Sequence, residues 1–284
     1  MTGDRQWVAE KWKDVETLYR INSVLYEDDS EFQHTRIVDS GRYGRMLLLD
    51  GIVQTTEKDE FIYHEMMVHV PMLSHPDPEK ILIIGGGDGG ILREVLRYKS
   101  VRMATMVEID RGVIDLSKKY MPMINNGAFE DSRTNLVISD GAAFVKETAE
   151  RYDVVIVDSC DPIGPATVLF SKAFYSDIRN LLTPDGIMVC QTGSIHMQPD
   201  EQKETYGLLS GIYGVTMPYV FAVPTYIGGF FSAMFCSEKI NPGEIDIRKL
   251  EEKAAVNNIN TRYYNPGMHI GAFHVPGFLK ERLI

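Results

Sequence analysis

Long apolar runs and a secretion signal are both missing from this chain. None of its apolar runs reaches the roughly 18 residues that a membrane-spanning helix needs. Residues 1–20 are rich in charge and lack the apolar core of a signal peptide. From these absences we expect neither a membrane span nor secretion.

Cysteine is scarce as well. Cys160, Cys190 and Cys236 lie far apart and match no disulfide or metal-ligand spacing. A chain without a disulfide framework is typical of a reducing compartment. We therefore expect a cytoplasmic protein.

Positive charge is in short supply. The chain has 29 basic and 40 acidic residues, which gives a formal net charge of −11. Nucleic-acid partners need a basic surface, so this balance disfavours them. An acidic chain suits cationic small molecules, although an ordinary soluble surface would also account for the charge.

The first 56 residues are typical of a small β domain. Short runs rich in Tyr, Val, Ile and Leu predict strands at 18–27, 32–40 and 45–49. Turns are predicted at Asp28-Asp29, Gly41 and Asp50-Gly51. A helix over 57–73 follows, and Pro76 and Pro78 stop it.

The pattern changes at Lys80 to alternating strands and helices. Near-continuous apolar strands joined by helices indicate an α/β fold, with a parallel sheet covered on both faces. The domain predictions are therefore residues 1–56 and 57–284. The strands are predicted at 81–84, 103–107, 136–139, 154–157 and 187–191, the last after a Pro184-Asp185-Gly186 turn, with an antiparallel finish at 221–223 and 230–236.

A glycine loop with an acid inside it follows the first of these strands. Gly85, Gly87 and Gly90 have the G-x-G-x-x-G spacing, which nicotinamide enzymes and S-adenosylmethionine enzymes share. A loop for pyrophosphate should carry no negative charge, yet Asp88 lies within this one. The loop therefore favours a nucleoside ligand whose other end is cationic. The alternative is that Asp88 only caps the following helix.

The next strands also end in acids. Glu108 stands about 20 residues past the glycines, where a carboxylate binds a ribose diol. Asp110 is predicted to cap a helix. Asp140, before Gly141, is a turn residue or a contact for an adenine amino group. In an open parallel sheet these strand ends meet at the ligand crevice.

The fourth strand ends in two acids, Asp158 and Asp161, followed by a loop rich in proline and glycine. Clustered carboxylates repel each other and raise one another's pKa unless cations lie between them. We therefore expect a polycation as the occupant. One acid is predicted to accept a proton from an attacking amine.

The run from His64 to His69 resembles the zinc motif H-E-x-x-H, but the histidines are five residues apart. On a helix that spacing turns them to different faces. The sequence therefore predicts no metal site.

Taken together, these residues resemble the polyamine aminopropyltransferases, the spermidine synthases in particular. The resemblance covers nearly the whole chain. It rests on the blocks 49–54, 56–61, 63–65, 85–90 with Arg93-Glu94, 107–110, 140–141, 158–165 with Leu169-Phe170, 224–226 and 263–265.

The resemblance implies a Rossmann-like (class I methyltransferase-like), mostly parallel sheet and a small N-terminal β domain, assembled as a homodimer or homotetramer. It also implies transfer of an aminopropyl group from decarboxylated S-adenosylmethionine to putrescine. The products would be spermidine and 5′-methylthioadenosine, and no metal or redox cofactor would be needed.

The resemblance further implies roles for single residues. Asp158 would be the proton acceptor, and Asp88 would bind the aminopropyl ammonium. The methylthioadenosine part would contact Gln33, Gly85, Gly87, Glu108, Asp140, Gly141 and Pro165. The diamine channel would be lined by Tyr63, His64, Asp158, Asp161 and Tyr226.

Several alternatives stay open. The acceptor could be cadaverine, agmatine or spermidine, since position 64, residues 192–194 and Ile227 vary in the family. A methyltransferase would use intact S-adenosylmethionine on the same fold, and a nicotinamide oxidoreductase is a weaker rival. A sensor that binds nucleosides or polyamines without chemistry is the non-enzymatic alternative. Residues 158–170 are predicted to form a lid.

Overall fold

The computed structural model describes residues 6–159 and 168–283, and its first sheet is an antiparallel meander. Asp50 and Gly51 both have positive φ, as a tight hairpin turn requires. The strands, which pair in sequence order, are β1 Gln6–Trp12, β2 Val15–Asp29, β3 His34–Ser40, β4 Gly44–Leu49 and β5 Ile52–Thr56.

This sheet differs from the prediction in three places. The strands β1 and β5 were not predicted, and the expected Asp28-Asp29 turn is wrong because β2 continues through it. Basic partners face two of the acids at this end of β2 across the ladder, whereas Asp28 faces Thr35. Asp29 pairs with His34, whose Nδ1 lies 2.7 Å from its carboxylate, and Glu27 pairs with Arg36.

The helix α1 (Glu60–Ser74) connects the two sheets and is buried along almost its whole length. It begins three residues later than predicted. The Asp59 carboxylate accepts hydrogen bonds from Thr56 and from the backbone and hydroxyl of Thr225 instead of capping the helix. The bonds from Thr225 tie the start of α1 to residues 223–229, which connect the last two strands of the second sheet.

The second sheet has seven strands in the order β11-β12-β10-β9-β6-β7-β8. The five strands from β10 to β8 are parallel, and β12 and β11 finish the sheet in antiparallel pairing, as predicted. Their bounds are β6 Lys80–Gly85, β7 Met103–Glu108, β8 Thr134–Ile138, β9 Tyr152–Asp158, β10 Leu182–Ser194, β11 Val215–Ala222 and β12 Phe230–Ser237.

The predicted turn before the fifth strand is wrong, because Pro184-Asp185-Gly186 lies inside β10. The strand pairs with β9 at Leu182, shifts register, and pairs again from Ile187. The proline and glycine are therefore accommodated in an irregularity of the ladder.

Helices cover both faces of this sheet, which confirms the predicted α/β class. One core includes Met66 and Met67 of α1 against Ile83 and Ile156, and the other packs Tyr175 against the opposite face. The remaining helices are α2 Gly90–Val95, α3 Arg111–Tyr120, α4 Pro122–Asn125, α5 Gly141–Glu147, α6 Lys172–Leu181, α7 Pro199–Ser210, α8 Ile247–Val256, α9 Pro266–Ala272 and α10 Gly277–Leu283.

The strand order reverses between β6 and β9, since β7 and β8 lie to one side of β6 and β10 to the other side of β9. At such a switch point the loops diverge and leave a crevice beyond the carboxyl ends of the strands. Within the described residues, no helix combines the length and apolarity needed to cross a bilayer.

Candidate active site

A cavity of about 360 Å³ opens at this switch point and is closed on one side by the N-terminal sheet. Asp161 and Pro165, which were predicted to belong to the site, lie outside the described residues. All the other predicted site residues line the cavity, namely Gln33, Tyr63, His64, Gly85, Gly87, Asp88, Glu108, Asp140, Gly141, Asp158 and Tyr226.

The glycine loop lies against the end of β9. Gly85 pairs with Asp158 across the sheet, and the amide of Gly86 donates to the Asp158 carbonyl at 3.1 Å. Gly85 has φ of +83°, and a Cβ there would lie 2.1 Å from that carbonyl oxygen. Only glycine allows this approach, which brings the loop and the acid of the next strand together.

The Asp158 side chain accepts a hydrogen bond of 2.6 Å from the hydroxyl of Tyr63 on α1. Burial and the negative charge of Asp88 raise the pKa of Asp158 to about 6, against the opposing effect of the Tyr63 hydrogen bond. Burial and Asp158 together raise the pKa of Tyr63, so its hydroxyl remains a donor. Asp158 is therefore a part-buried carboxylate that can take up a proton near neutral pH.

Asp88 contacts both the loop and α1. One carboxylate oxygen accepts from the amide of Gly90 at 2.8 Å, and the other lies 3.3 Å from Nε2 of His64. Burial would raise the pKa of Asp88, but the charge of His64 and these contacts lower it. Asp88 thus accepts from the first residue of α2 without being its cap, since Gly89 is the N-cap and no side chain caps the helix, and Asp88 also presents an ionised carboxylate at the cavity.

The part of the cavity at the carboxyl end of β7 carries Glu108. Its carboxylate accepts from the amide of Asp110 at 2.9 Å, yet burial raises its pKa to about 7. Asp110 caps α3 through the amide of Gly112, as predicted. Gln33 donates to Asp110 at 3.1 Å, so the N-terminal sheet is fastened to this end of the site.

Asp140 has a structural partner of its own. Its carboxylate caps α5 by accepting from the amide of Ala143 at 2.7 Å. Gly141 follows it at the first position of the helix, and both residues lie at the cavity.

Aromatic rings form the wall between the two acids and the N-terminal sheet. The rings of Tyr63 and Tyr226 meet edge to face at 5.5 Å, and Phe231 lies 4.9 Å from Tyr226. The Tyr226 hydroxyl donates to the carbonyl of Gln54 on β5 at 2.7 Å. Such a wall suits an alkyl chain or an ammonium group, because ring faces attract cations.

Two residues of β1 line the cavity and were not found from the sequence. Glu10 is buried and accepts from the amide of Val53, and Trp12 lies two residues further along the same strand. Val8 and Glu10 share the inward face of β1. An acid on the inward face of an alternating strand was the available signal, but it has meaning only once β1 is recognised as a strand.

The two histidines of the run 64–69 contact different acids. His64 faces Asp88, whereas Nε2 of His69 lies 3.0 Å from the carboxylate of Glu94 on α2. Across residues 6–159 and 168–283, no group of three or more His, Cys, Asp or Glu side chains is placed to hold a metal ion.

Comparison with known families gives two matches in succession along the chain. Residues 6–57 match the family described as "Spermidine synthase tetramerisation domain", and residues 60–247 match "Spermine/spermidine synthase domain".

Individual relatives match over most of their length. A polyamine aminopropyltransferase of Ruegeria sp. (strain TM1040) is 47% identical over 262 residues, 92% of each chain. Polyamine aminopropyltransferase 1 of Pseudomonas aeruginosa is 46% identical over 275 residues, 94% of this chain and 96% of the relative.

Solved structures match the whole fold. A spermidine synthase in complex with the transition state analogue AdoDATO superposes with a TM-score of 0.94 at 38% identity, over 99% of this chain and 96% of that one. The spermidine synthase of Thermotoga maritima gives 0.91 at 37% identity, over 99% and 95%.

Proposed function

The chain belongs to the spermine/spermidine synthase family of transferases, and we propose that it moves an aminopropyl group from decarboxylated S-adenosylmethionine to putrescine. The products would be spermidine and 5′-methylthioadenosine. One observation carries the proposal: two acids, the buried Asp88 and the part-buried Asp158, interact beside the aromatic wall of a nucleoside-sized cavity.

Different residues of the cavity lining suit the two ends of the donor. Glu108 would accept hydrogen bonds from the ribose hydroxyls, with Gln33, Asp140 and Gly141 around the rest of the nucleoside. Asp88 would bind the ammonium at the end of the aminopropyl chain.

Asp88 also supports the choice of the decarboxylated donor. Intact S-adenosylmethionine carries a carboxylate beside its ammonium, and the ionised Asp88 would repel it. The decarboxylated donor has only the ammonium at that point. The site would therefore select by repulsion of the competitor as well as by attraction of the donor.

The chemistry would be a direct displacement. The sulfonium makes the adjoining methylene carbon electrophilic, and the unprotonated amine of putrescine attacks that carbon. A carbon–nitrogen bond forms, the carbon–sulfur bond breaks, and neutral methylthioadenosine leaves. Asp158 would take the proton that the amine loses, since its raised pKa of about 6 suits a general base. Alignment of both reactants in one cavity lowers the barrier further.

The far ammonium of the diamine would be bound near the aromatic wall of Tyr63 and Tyr226. Asp161 would contribute a second acid, a prediction that lies outside the described residues. Putrescine is our preferred acceptor, with cadaverine, agmatine and spermidine as the alternatives. No metal or redox cofactor enters the reaction as proposed.

We also propose that the chain forms homo-oligomers, a homodimer or a homotetramer, through its N-terminal sheet. Residues 6–57, which match the tetramerisation domain, expose Trp7, Leu18 and Val24 to solvent. Exposed apolar side chains in one small sheet favour burial against another subunit. The cytoplasmic location stays a prediction.

The test is to incubate purified protein with putrescine and either decarboxylated or intact S-adenosylmethionine, and to follow the products by mass spectrometry. We expect methylthioadenosine and spermidine from the decarboxylated donor only. S-Adenosylhomocysteine from the intact donor would make the protein a methyltransferase. Donor binding without any product, across the four candidate acceptors, would favour the sensor.

A further inference from the structure

His64 has a carboxylate on each of its ring nitrogens. Nδ1 lies 2.6 Å from the carboxylate of Glu60, one helical turn earlier on α1, and Nε2 lies 3.3 Å from that of Asp88. Carboxylates accept and do not donate, so both nitrogens must carry hydrogen for both contacts to be favourable. The ring between these two acids is therefore an imidazolium.

We propose that Glu60 is a positioning residue of the active site: it holds His64 as an imidazolium aimed at Asp88 and thereby keeps Asp88 ionised and oriented. This inference rests on the proposed function, in which Asp88 binds the ammonium of the donor. It changes the role expected for His64. An imidazolium offers no acceptor to an amine, so His64 would serve Asp88 rather than bind the diamine directly.

Glu60 is itself held in place by hydrogen bonds from a neighbouring helix. Arg93 of α2 donates to both of its carboxylate oxygens, at 2.9 and 3.2 Å, and also to the carbonyl of Ile124 at 2.6 Å. A bidentate contact of this kind fixes both the position and the plane of the carboxylate. Burial would raise the pKa of Glu60, but His64 and Arg93 together lower it. Glu60 is thus a fixed negative charge at Nδ1 of the His64 ring.

Packing fixes the ring as well. Only 2% of the His64 surface is exposed, and a Cβ built on Gly90 would lie 2.2 Å from the imidazole. Position 90 therefore has to be glycine, because a larger residue would collide with the ring of His64. Since the ring has little room to turn, its Nε2 stays 3.3 Å from the carboxylate of Asp88.

The charges around His64 explain why its positive charge matters. Glu60 faces it from α1, Asp88 from the glycine loop and Asp158 from the end of β9, while the neutral Tyr63 ring stands 5.6 Å away. Burial would lower the pKa of His64, but Asp88 and Glu60 raise it to about 10. Without that positive charge, the neighbouring Asp88 and Asp158 would repel each other, and one of them would take up a proton.

The first test measures the charge of His64 directly. Protein labelled with ¹⁵N-histidine is titrated by NMR in the wild type, Glu60→Gln and a matched control, Glu65→Gln. Glu65 is also a buried acid of α1, but it accepts from the amides of Arg262, Tyr263 and Tyr264. We expect His64 to be doubly protonated at about pH 8 in the wild type and in the control, and neutral in Glu60→Gln.

The second test is a double-mutant cycle of Glu60→Gln and His64→Gln, read as kcat/KM for decarboxylated S-adenosylmethionine. A glutamine at position 64 can donate a hydrogen bond to Asp88 without carrying a charge, so its action does not depend on the carboxylate of Glu60. Glu60→Gln should lower kcat/KM about tenfold, the loss expected for one charge-assisted contact. Its activity should also fall as the pH rises through the new, lower pKa of His64. In the His64→Gln background Glu60→Gln should lower kcat/KM only slightly, because the ion pair between Glu60 and His64 is already absent.

Two results would overturn the inference. One is a wild-type His64 that is neutral at about pH 8, or a Glu60→Gln variant that leaves its charge unchanged. The other is an equal loss of kcat/KM in both backgrounds with no change in the pH profile, which is the outcome of a purely structural role. If the wild type transfers nothing, the proposed function fails, and the NMR titration still decides whether Glu60 holds the charge.

Discussion

The hydroxyl of Tyr63 donates a hydrogen bond of 2.6 Å to the carboxylate of Asp158, across 95 residues of sequence. The bond joins α1 to the end of β9 and holds one oxygen of the proposed base. The same bond favours the ionised form of Asp158, whose pKa burial and Asp88 otherwise raise. Tyr63 therefore sets both the orientation and the acidity of this carboxylate.

Tyr63→Phe should shift the pH profile of the reaction. In the proposed mechanism the ionised Asp158 is the active form, so its folded pKa of about 6 should make kcat/KM fall as the pH drops through that value. Loss of the donor removes a contact that lowers the pKa, so the acid limb should move to higher pH. Tyr219→Phe is the control, because Tyr219 is equally buried but its hydroxyl faces the backbone of α1. A profile that does not move would separate Tyr63 from the acidity of Asp158.

Asp158→Asn should abolish most turnover and leave donor binding intact. A positioned general base contributes roughly 100- to 10,000-fold, so kcat should fall by that order. The control is Asp153→Asn, at the opposite end of the same strand, where the carboxylate accepts from the amides of Glu79 and Lys80. Rapid-quench assays of methylthioadenosine and calorimetric titration with the donor supply the two readouts. An unchanged kcat would remove Asp158 from the role of base.

Asp88→Asn should weaken discrimination between the two donors. The asparagine can still accept from the amide of Gly90, but it has no charge for the aminopropyl ammonium and none to repel a carboxylate. Affinity for decarboxylated S-adenosylmethionine should fall by about tenfold or more, the loss of a charge-assisted contact. Affinity for the intact compound should stay equal or rise. Calorimetry with both compounds gives the ratio, and equal weakening of both would contradict the role of Asp88 in selection.

Glu108→Gln should stabilise the protein and weaken its ligand binding. Burial raises the pKa of Glu108 from 4.5 to about 7, so the folded state holds a proton that the unfolded state has lost. The penalty is absent below the ordinary pKa of 4.5, grows between that value and the folded pKa of about 7, and levels off above it at about 3 kcal/mol. Removing the charge removes the penalty, at the cost of the ribose acceptor.

The measurement for Glu108→Gln is thermal unfolding at pH about 4 and about 8, where the linkage between proton binding and folding predicts a gain only at the higher pH. Glu94→Gln serves as the opposite case. Burial would raise the pKa of Glu94, but His69, Arg93 and Arg97 lower it, so its removal should destabilise the protein at neutral pH. A loss of stability in Glu108→Gln at the higher pH would show that its charge is better compensated than we infer.

Leu18→Glu should reduce the size of the assembly. Leu18 on β2 is 57% exposed, and a buried contact with another subunit would not accept an unpaired charge. Met123→Glu on α4 is the matched control, since Met123 is 78% exposed but lies outside the N-terminal sheet. Sedimentation of both variants and the wild type checks this. An oligomer that survives Leu18→Glu would place the interface elsewhere.

The parallel sheet and the acids at its edge were predictable from the sequence because their signals are local. Strands such as β6 and β9 are near-continuous apolar runs, and the acids follow directly where the runs end. The parallel topology then brings these acids together, since the carboxyl ends of parallel strands lie at one edge of the sheet. Asp88 and Asp158 therefore met at one cavity, as the pattern indicated.

The first strand escaped prediction for a physical reason. In β1, two charged residues stand next to each other, Glu10 and Lys11, and the inward side includes Glu10 on the same face as Val8. An acid is buried there because the amide of Val53 on β5 donates to it at 3.1 Å and the Tyr19 hydroxyl on β2 lies 3.4 Å from it. Such compensation is not visible in a local window of sequence, so the contribution of β1 to the cavity was missed.

The sequence by itself determined the strands of the parallel sheet, the glycine loop and the supply of acids, because each of these is set by a short run of consecutive residues. Only the tertiary structure decided their chemistry. It placed Glu60 and Asp88 on opposite nitrogens of His64, and Tyr63 on Asp158. The pKa of each group follows from burial and from charges brought close by folding, and neither quantity exists before the chain has packed.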